Sequence, residues 1–350
     1  MRQRVIEIAG RKIGEGQPAF IVAEISANHN QSYEAAAEHI KAAKAAGADG
    51  VKIQTYTADT LTIPCDNEYF KIKEGPWAGR TLHELYQEAF TPWDWQPKLK
   101  KIADELGIIL FSTPFDETAV DFLEEMNVPC HKIASFELVD LPLIKKAAET
   151  GKPLIMSTGM ATLSEIEEAV AAARDAGCKE LLLLKCNSAY PAPPEEMNLL
   201  TIAHLADAFD VPTGLSDHTL GIAVPIAAVT LGACMIEKHF TLSRARKGPD
   251  SFFSIEPAEL KAMIEAVRIV EKAKGGVSYQ ASAHEISSRI FRRSLFVVKD
   301  IKKGEPFTKE NVRSIRPGYG LPPKYLENII GTKAVKNISQ GTPLGWELIG

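Results

Sequence analysis

Nowhere in these 350 residues is there an apolar run long enough to cross a bilayer, and the start, Met1-Arg2-Gln3-Arg4, lacks the apolar stretch of a signal peptide. Cysteine is sparse: Cys65, Cys130, Cys178, Cys186 and Cys234 are odd in number, scattered, and never spaced Cys-x-x-Cys. A disulfide framework is thereby disfavoured, and the pattern fits a reducing cytoplasm. No G-x-G-x-x-G follows the first strand-like run, which argues against a doubly wound dinucleotide fold. No basic run carries interleaved aromatics, so nucleic-acid binding is not expected.

What is present is ordinary globular material, 45% hydrophobic and 24% charged, enough for one large domain and a small one. The net charge of −5 hides an asymmetry: Arg289–Gly350 holds 12 Lys/Arg against 5 Asp/Glu, leaving −12 on the rest. A basic module on an acidic body is either a solvated face or a device for an anionic ligand.

Eight short apolar runs alternate with helical patterns: Phe20–Ile25, Gly50–Thr55, Ile108–Thr113, Cys130–Ser135, Pro153–Thr158, Leu181–Cys186, Pro212–Asp217 and Ala233–His239. Near-continuous apolar strands belong to a helix-covered parallel sheet, and eight such units predict a (β/α)8 TIM barrel. Helices are expected at Tyr33–Ala46 and Leu163–Ala176, the second opened by the capping-box spacing of Thr162 and Glu165. Residues 4–17 read as a hairpin that caps the bottom of the barrel. The long connection 56–95, with Trp77, Trp93 and Trp95, either shapes a pocket or is merely pinned to the body. The predicted division is a barrel domain at 1–275, a polar linker at 276–288 and a small, mostly non-helical module at 289–350.

The C-terminal ends of barrel strands carry function. Those ends hold Glu24; Lys52 and Gln54; Thr113; Lys132, Ser135 and Glu137; Ser157 and Thr158; Lys185, Asn187 and Ser188; Ser216, Asp217 and His218; Glu237, Lys238 and His239. Each would cost roughly 1–3 kcal/mol if buried unpaired, so convergence on a shared polar ligand is expected. Lysines among hydroxyls suit a phosphate or carboxylate, although any one lysine could instead pair with Glu24 or Glu237. His218 and His239 end neighbouring strands, where paired imidazoles suit a divalent ion such as Mn²⁺, Zn²⁺ or Fe²⁺. His29 and His131 are weaker candidates; His39, His83, His204 and His284 read as helix or surface residues.

At these residues the sequence resembles the sialic acid synthase family. The matching pieces include Ala23-Glu24-Ile25 with Asn28-His29, Lys52-Ile53-Gln54-Thr55, Ser112-Thr113-Pro114-Phe115, Lys132 through Glu137, Ser157-Thr158-Gly159-Met160, Gly214 through His218, Glu237-Lys238-His239-Phe240 and Gly248-Pro249-Asp250. The tail, with Arg293-Ser294-Leu295 and Arg316-Pro317-Gly318, resembles the antifreeze-like (SAF) domain that ends these enzymes.

The resemblance implies a transferase that condenses phosphoenolpyruvate with an amino-sugar aldehyde. Lys52, Gln54, Thr113, Lys132, Ser135, Ser157, Asn187 and Ser216 fall on substrate-binding positions. Glu24, Glu137, Tyr190 and Asp250 fall on catalytic ones. His218 and His239 match ligands of a divalent metal, Mn²⁺ first, with Mg²⁺ or Co²⁺ as alternatives. Arg316 matches an arginine that enters the partner's pocket, which implies a domain-swapped homodimer.

Gly75 through Leu82, Thr91-Pro92-Trp93-Asp94-Trp95 and Asp250 through Ser254 look like the pseudaminic acid synthase branch. Its sugar is 2,4-diacetamido-2,4,6-trideoxy-L-altrose. The alternatives are N-acetylmannosamine and the legionaminic precursor. A Schiff-base aldolase and a non-catalytic binding protein are the rival readings, against which the paired histidines and the polar strand ends weigh.

Overall fold

The computed structural model describes residues 4–350, as a unit running to Gly275 and a second spanning Gly276–Gly350. The first begins with an antiparallel pair, β1 (Val5–Ile8) and β2 (Arg11–Gly14), turned by Ala9 and Gly10 at positive φ of 51° and 78°. Two consecutive positive φ values make the tight turn whose twist suits a hairpin.

Eight parallel strands then close into a barrel: β3 (Phe20–Glu24), β4 (Gly50–Thr55), β5 (Ile109–Pro114), β6 (His131–Ile133), β7 (Leu154–Ser157), β8 (Leu181–Cys186), β9 (Thr213–Asp217) and β10 (Met235–His239), with β10 pairing both β9 and β3. Helices such as α1 (Tyr33–Ala46) and α10 (Pro257–Lys274) cover the outside. The expected strands are all present, each within two residues of its expected ends. The capping box of Thr162 and Glu165 opens the helix Leu163–Asp175.

Side chains alternate across each strand, and that alternation builds two layers inside the barrel. The lower layer is apolar: Phe20 and Val22 of β3, Phe111 of β5, Ile155 of β7, Leu182 and Leu184 of β8 and Met235 of β10 cluster with Ile6, Ile8 and Ile13 of the hairpin. The hairpin is thus a stopper at the bottom. Gly50 makes room for the Phe20 ring, which would lie 3.0 Å from any Cβ placed there. One step higher, the same inward rows turn polar.

The second unit pairs β11 (Ser294–Val297) with β12 (Val312–Ile315) over a small core that includes Leu295, Phe307, Ile329 and Leu344. The stretch expected as a bare linker contains a short helix, Ala283–Ser288, because Ser282 and Glu285 form a capping box. Among the described residues no helix is long and apolar enough to cross a membrane.

Candidate active site

The polar layer lines a cavity of about 410 Å³ at the C-terminal end of the barrel. Its floor is built around Lys52 and Lys132, projecting inward from β4 and β6 and both buried. Lys52 Nζ lies 3.0 Å from Glu24 Oε2 and 3.3 Å from Glu237 Oε1, and donates to Thr113 Oγ1 at 3.0 Å. Lys132 Nζ donates to Ser157 Oγ at 2.6 Å and to the Ile133 carbonyl at 3.1 Å, with Glu237 Oε1 4.0 Å away. Ser216 donates to the same Glu237 oxygen at 3.2 Å. Both readings of Lys52 therefore hold: it is paired with carboxylates, and it faces the cavity.

Burial opposes the charge on both lysines, with different outcomes. For Lys52 desolvation is outweighed by Glu237 and Glu24, and its pKa is raised. Lys132 lacks so close a partner, so desolvation leaves its pKa below the ordinary value. Burial pushes Glu24 up despite Lys52, and pushes Glu137 up to about 7. Glu137 Oε2 is buried without a hydrogen-bond partner, at the cavity wall.

Above this floor, His218 and His239 stand with ring centroids 5.2 Å apart. Tyr190 packs on His218 at 4.4 Å, and Phe253 on His239 at 4.8 Å. The Asn187 carbonyl can only accept, so the 2.7 Å contact to His218 Nδ1 puts a proton on that nitrogen and makes Nε2 the one that a metal would take. His239 Nδ1 is buried and unpartnered, 4.0 Å from Asp250 Oδ2. Burial first, then the positive field of His218 and the lysines, holds His239 well below its ordinary pKa and therefore neutral. Two imidazoles beside a carboxylate fit a divalent cation, which would take the place of any proton on Nε2 of His218 and leave its other positions to substrate and water. Among the described residues no group of three His, Cys, Asp or Glu is arranged to hold a metal ion by itself.

Not every strand-end residue joins. Lys238 turns outward to Asp217 Oδ2 and the Thr219 carbonyl, both at 2.5 Å, while Lys185 donates to the Cys186 carbonyl and Thr158 to that of Leu184. The reason is the two-residue period: neighbours along a strand face opposite sides, so a run of polar residues cannot all converge. Asn187 meets the site through its carbonyl, while its side chain accepts from Ala189 N and faces Glu196. Ser135 accepts from Gly159 N at 3.0 Å and lines the cavity. Arg316 is exposed, just beyond β12 in the second unit.

His131 pairs outward with Glu124 at 2.7 Å, and His29 bonds Thr91 at 3.1 Å. His39 lies on α1 but is buried, its Nδ1 at 2.6 Å from the Ala35 carbonyl and its Nε2 accepting from Leu242 N.

The connection 56–95 resolves by residue. Trp77 lines the cavity, 5.9 Å from Tyr190, with Tyr56, Leu85 and Tyr86. Trp93 and Trp95 are pins: Trp93 donates to the Tyr56 carbonyl and packs on Phe122, and Trp95 packs edge-on against His29 and Tyr33. Sequence reasoning missed Ser26 and Cys186 as lining residues and named Glu237 only as a possible partner for a lysine, which it is for Lys52. The signal for Glu237 was a carboxylate in a fully buried strand, two residues before His239 and so on the same inward row.

Fold and site together define a barrel enzyme with an anion-holding floor beneath a histidine pair. The chain matches the model of the NeuB family over residues 39–279 and that of the SAF domain over residues 292–349, and it belongs to the NeuB family. It is 46% identical over 329 residues to the pseudaminic acid synthase of Helicobacter pylori, covering 94% of this chain and 97% of that one. It is 38% identical over 341 residues to the N,N'-diacetyllegionaminic acid synthase of Legionella pneumophila, covering 96% of each. The solved N-acetylneuraminic acid synthetase of Leptospira borgpetersenii superposes with a TM-score of 0.73 at 31% identity, over 82% of this chain and 95% of that one.

Proposed function

We propose that this enzyme condenses phosphoenolpyruvate with 2,4-diacetamido-2,4,6-trideoxy-L-altrose and water, giving pseudaminic acid and phosphate. The observation that carries the reading is near-full-length likeness, at 46% identity, to pseudaminic acid synthases of Helicobacter pylori and Campylobacter jejuni. The character of the cavity supports it. Its floor is cationic and hydroxyl-rich, whereas its upper wall carries Tyr56, Trp77, Tyr86, Phe115 and Phe136. A 6-deoxy sugar with two acetyl groups gains from such apolar contact.

Phosphoenolpyruvate belongs on the floor, its phosphate and carboxylate held by Lys52 and Lys132 with Thr113, Ser135, Ser157, Ser216 and the Asn187 turn. The sugar lies above, its polar groups met by Gln54, Tyr190 and Asp250. C3 of phosphoenolpyruvate attacks the aldehyde carbon, and the aldehyde oxygen takes up a proton. Water adds to the resulting cationic C2 and loses a proton. The adduct's C2–O bond to phosphate then breaks as its hydroxyl is deprotonated, leaving the keto acid and phosphate. Lysines fixed beside the phosphate stabilise charge throughout without reorganising. Glu137, titrating near 7, is suited to give and take these protons, and Glu24 keeps Lys52 in place. A divalent ion on His218 and His239, Mn²⁺ in this reading with Mg²⁺ or Co²⁺ as alternatives, would polarise the aldehyde carbonyl as a Lewis acid. No Schiff base is required.

The positively charged second unit fits the same scheme if Arg316 reaches the cavity of a second copy in a domain-swapped homodimer. The deciding experiment is phosphate release from phosphoenolpyruvate with a panel of amino sugars. The trideoxy-L-altrose derivative should be preferred by at least about tenfold in kcat/KM, a step worth ~1.4 kcal/mol. Equal or better turnover of N-acetylmannosamine or the legionaminic precursor would reassign the sugar, and no phosphate release with any would reject the reaction.

A further inference from the structure

Ser26 stands out on backbone grounds. It is buried, only 3% exposed, yet sits at φ = +47°, in the left-handed region where a side chain carries a steric cost and glycine does not. A chain that keeps serine there keeps its hydroxyl at the expense of stability, and such strain tends to collect at functional sites.

The donor count shows where that hydroxyl is committed. Gln54 Nε2 has two hydrogens and two acceptors, Glu24 Oε1 at 3.0 Å and Ser26 Oγ at 3.1 Å. With its oxygen receiving that bond, Ser26 spends its own single hydrogen on Asp250 Oδ2. The backbone N–H of Ala27 approaches the same oxygen at 3.4 Å. The chain therefore runs one way, from the amide of Gln54 through Ser26 to Asp250. Asp250 in turn lies on the loop after β10, beside His239, and lines the cavity. Among the described residues Asp250 Oδ2 has no other side-chain donor within hydrogen-bond distance.

We infer that Ser26 is a positioning residue: its strained backbone aims a hydroxyl that fixes the Asp250 carboxylate against the sugar side of the site, and couples it through Gln54 to the lysine-bearing floor. This rests on the reading of the cavity as a condensing site, and it adds a residue to which no role was assigned.

The test compares S26A, which keeps the strain and loses the hydroxyl, with S26G, which loses both. Steady-state kcat, KM for each substrate and melting temperature are measured on the full chain. Both variants should lower kcat by about tenfold to a hundredfold, the worth of one hydrogen bond to a charged group. KM for phosphoenolpyruvate should stay within about twofold of the parent, and S26G should melt above S26A. Wild-type kcat in either variant would overturn the inference, because a serine kept for packing alone is replaceable without kinetic cost. Loss of phosphoenolpyruvate affinity in parallel with kcat would overturn it too, as general collapse of the site. Every variant is assayed with whichever amino sugar the parent turns over fastest, so a wrong assignment of the sugar leaves the variant-to-parent ratios untouched.

Discussion

The indole N–H of Trp77 donates to the carbonyl of Pro249 over 3.0 Å, joining the long connection after β4 to the loop that carries Asp250. The bond ties the aromatic wall of the cavity to that loop, on the side proposed for the sugar. W77A removes wall and tie together, and is expected to raise KM for the amino sugar about tenfold or more while KM for phosphoenolpyruvate stays near the parent's. W77F keeps most of the wall without the donor and should fall between. Steady-state kinetics with each substrate varied in turn checks the split.

The two lysines should separate stability from activity. Lys52 neutralises two buried carboxylates, so K52M leaves Glu24 without a cation and Glu237 with only the more distant Lys132, and should destabilise the fold by roughly 3 kcal/mol. Lys132 has its nearest carboxylate at 4.0 Å, and K132M should leave the melting temperature almost unchanged. Both variants should lose turnover by about a thousandfold or more. Denaturant unfolding and phosphate-release rates measure the two effects independently.

Glu137 gives a pH signature. Its folded pKa of about 7 lies above the ordinary 4.5, so the fold favours the neutral carboxyl. The associated stability is fully present below pH 4.5 and is lost as pH rises through 7. E137Q, always neutral, should therefore gain in melting temperature relative to the parent as pH goes from 5 to about 8, and should lower kcat by about a hundredfold or more. A melting difference that is flat across that window would reject the buried-carboxyl account.

Metal retention distinguishes the two halves of the site. H218A and H239A should each lose tightly bound divalent metal on dialysis, whereas K132M should retain it, as read by elemental analysis of the dialysed proteins. Retention of stoichiometric metal by H218A would remove it from the ligand set. Chelation should abolish turnover in the parent, and an added divalent ion should restore it.

Arg316 can be tested by complementation. If it serves the cavity of a second copy, R316A and H218A are each inactive for different reasons, and mixed dimers contain one intact site. Refolding the two together should recover roughly a quarter of parental activity, since about half of the dimers are mixed and half of their sites are whole. Absence of any recovery, with mixed dimers shown to form, would place Arg316 in its own chain's site or in none.

Much of the architecture was legible because parallel-barrel strands announce themselves as short apolar runs: Gly50–Thr55 and Leu181–Cys186 have the expected boundaries. The site was legible only in outline, since strand ends mark candidates but do not say which face each one takes. Lys185, Asp217 and Lys238 looked like members of the constellation and instead face away, and only register separates them from Lys52 and Lys132. Ser26 was invisible for a different reason: positive φ at a non-glycine residue leaves no mark in a sequence. The role of the connection 56–95 likewise depended on packing, which assigned Trp77 to the cavity and Trp93 and Trp95 to the body.

The hairpin of Ile6, Ile8 and Ile13 wedged beneath the barrel makes the enzyme a well with a single mouth. The open end of that well is lined by Trp77 and Tyr190, among others. If phosphoenolpyruvate binds at the bottom as proposed, a sugar that arrived first would block its path, and productive visits would follow a queue: the acid before the sugar, and the nine-carbon product out before the phosphate beneath it.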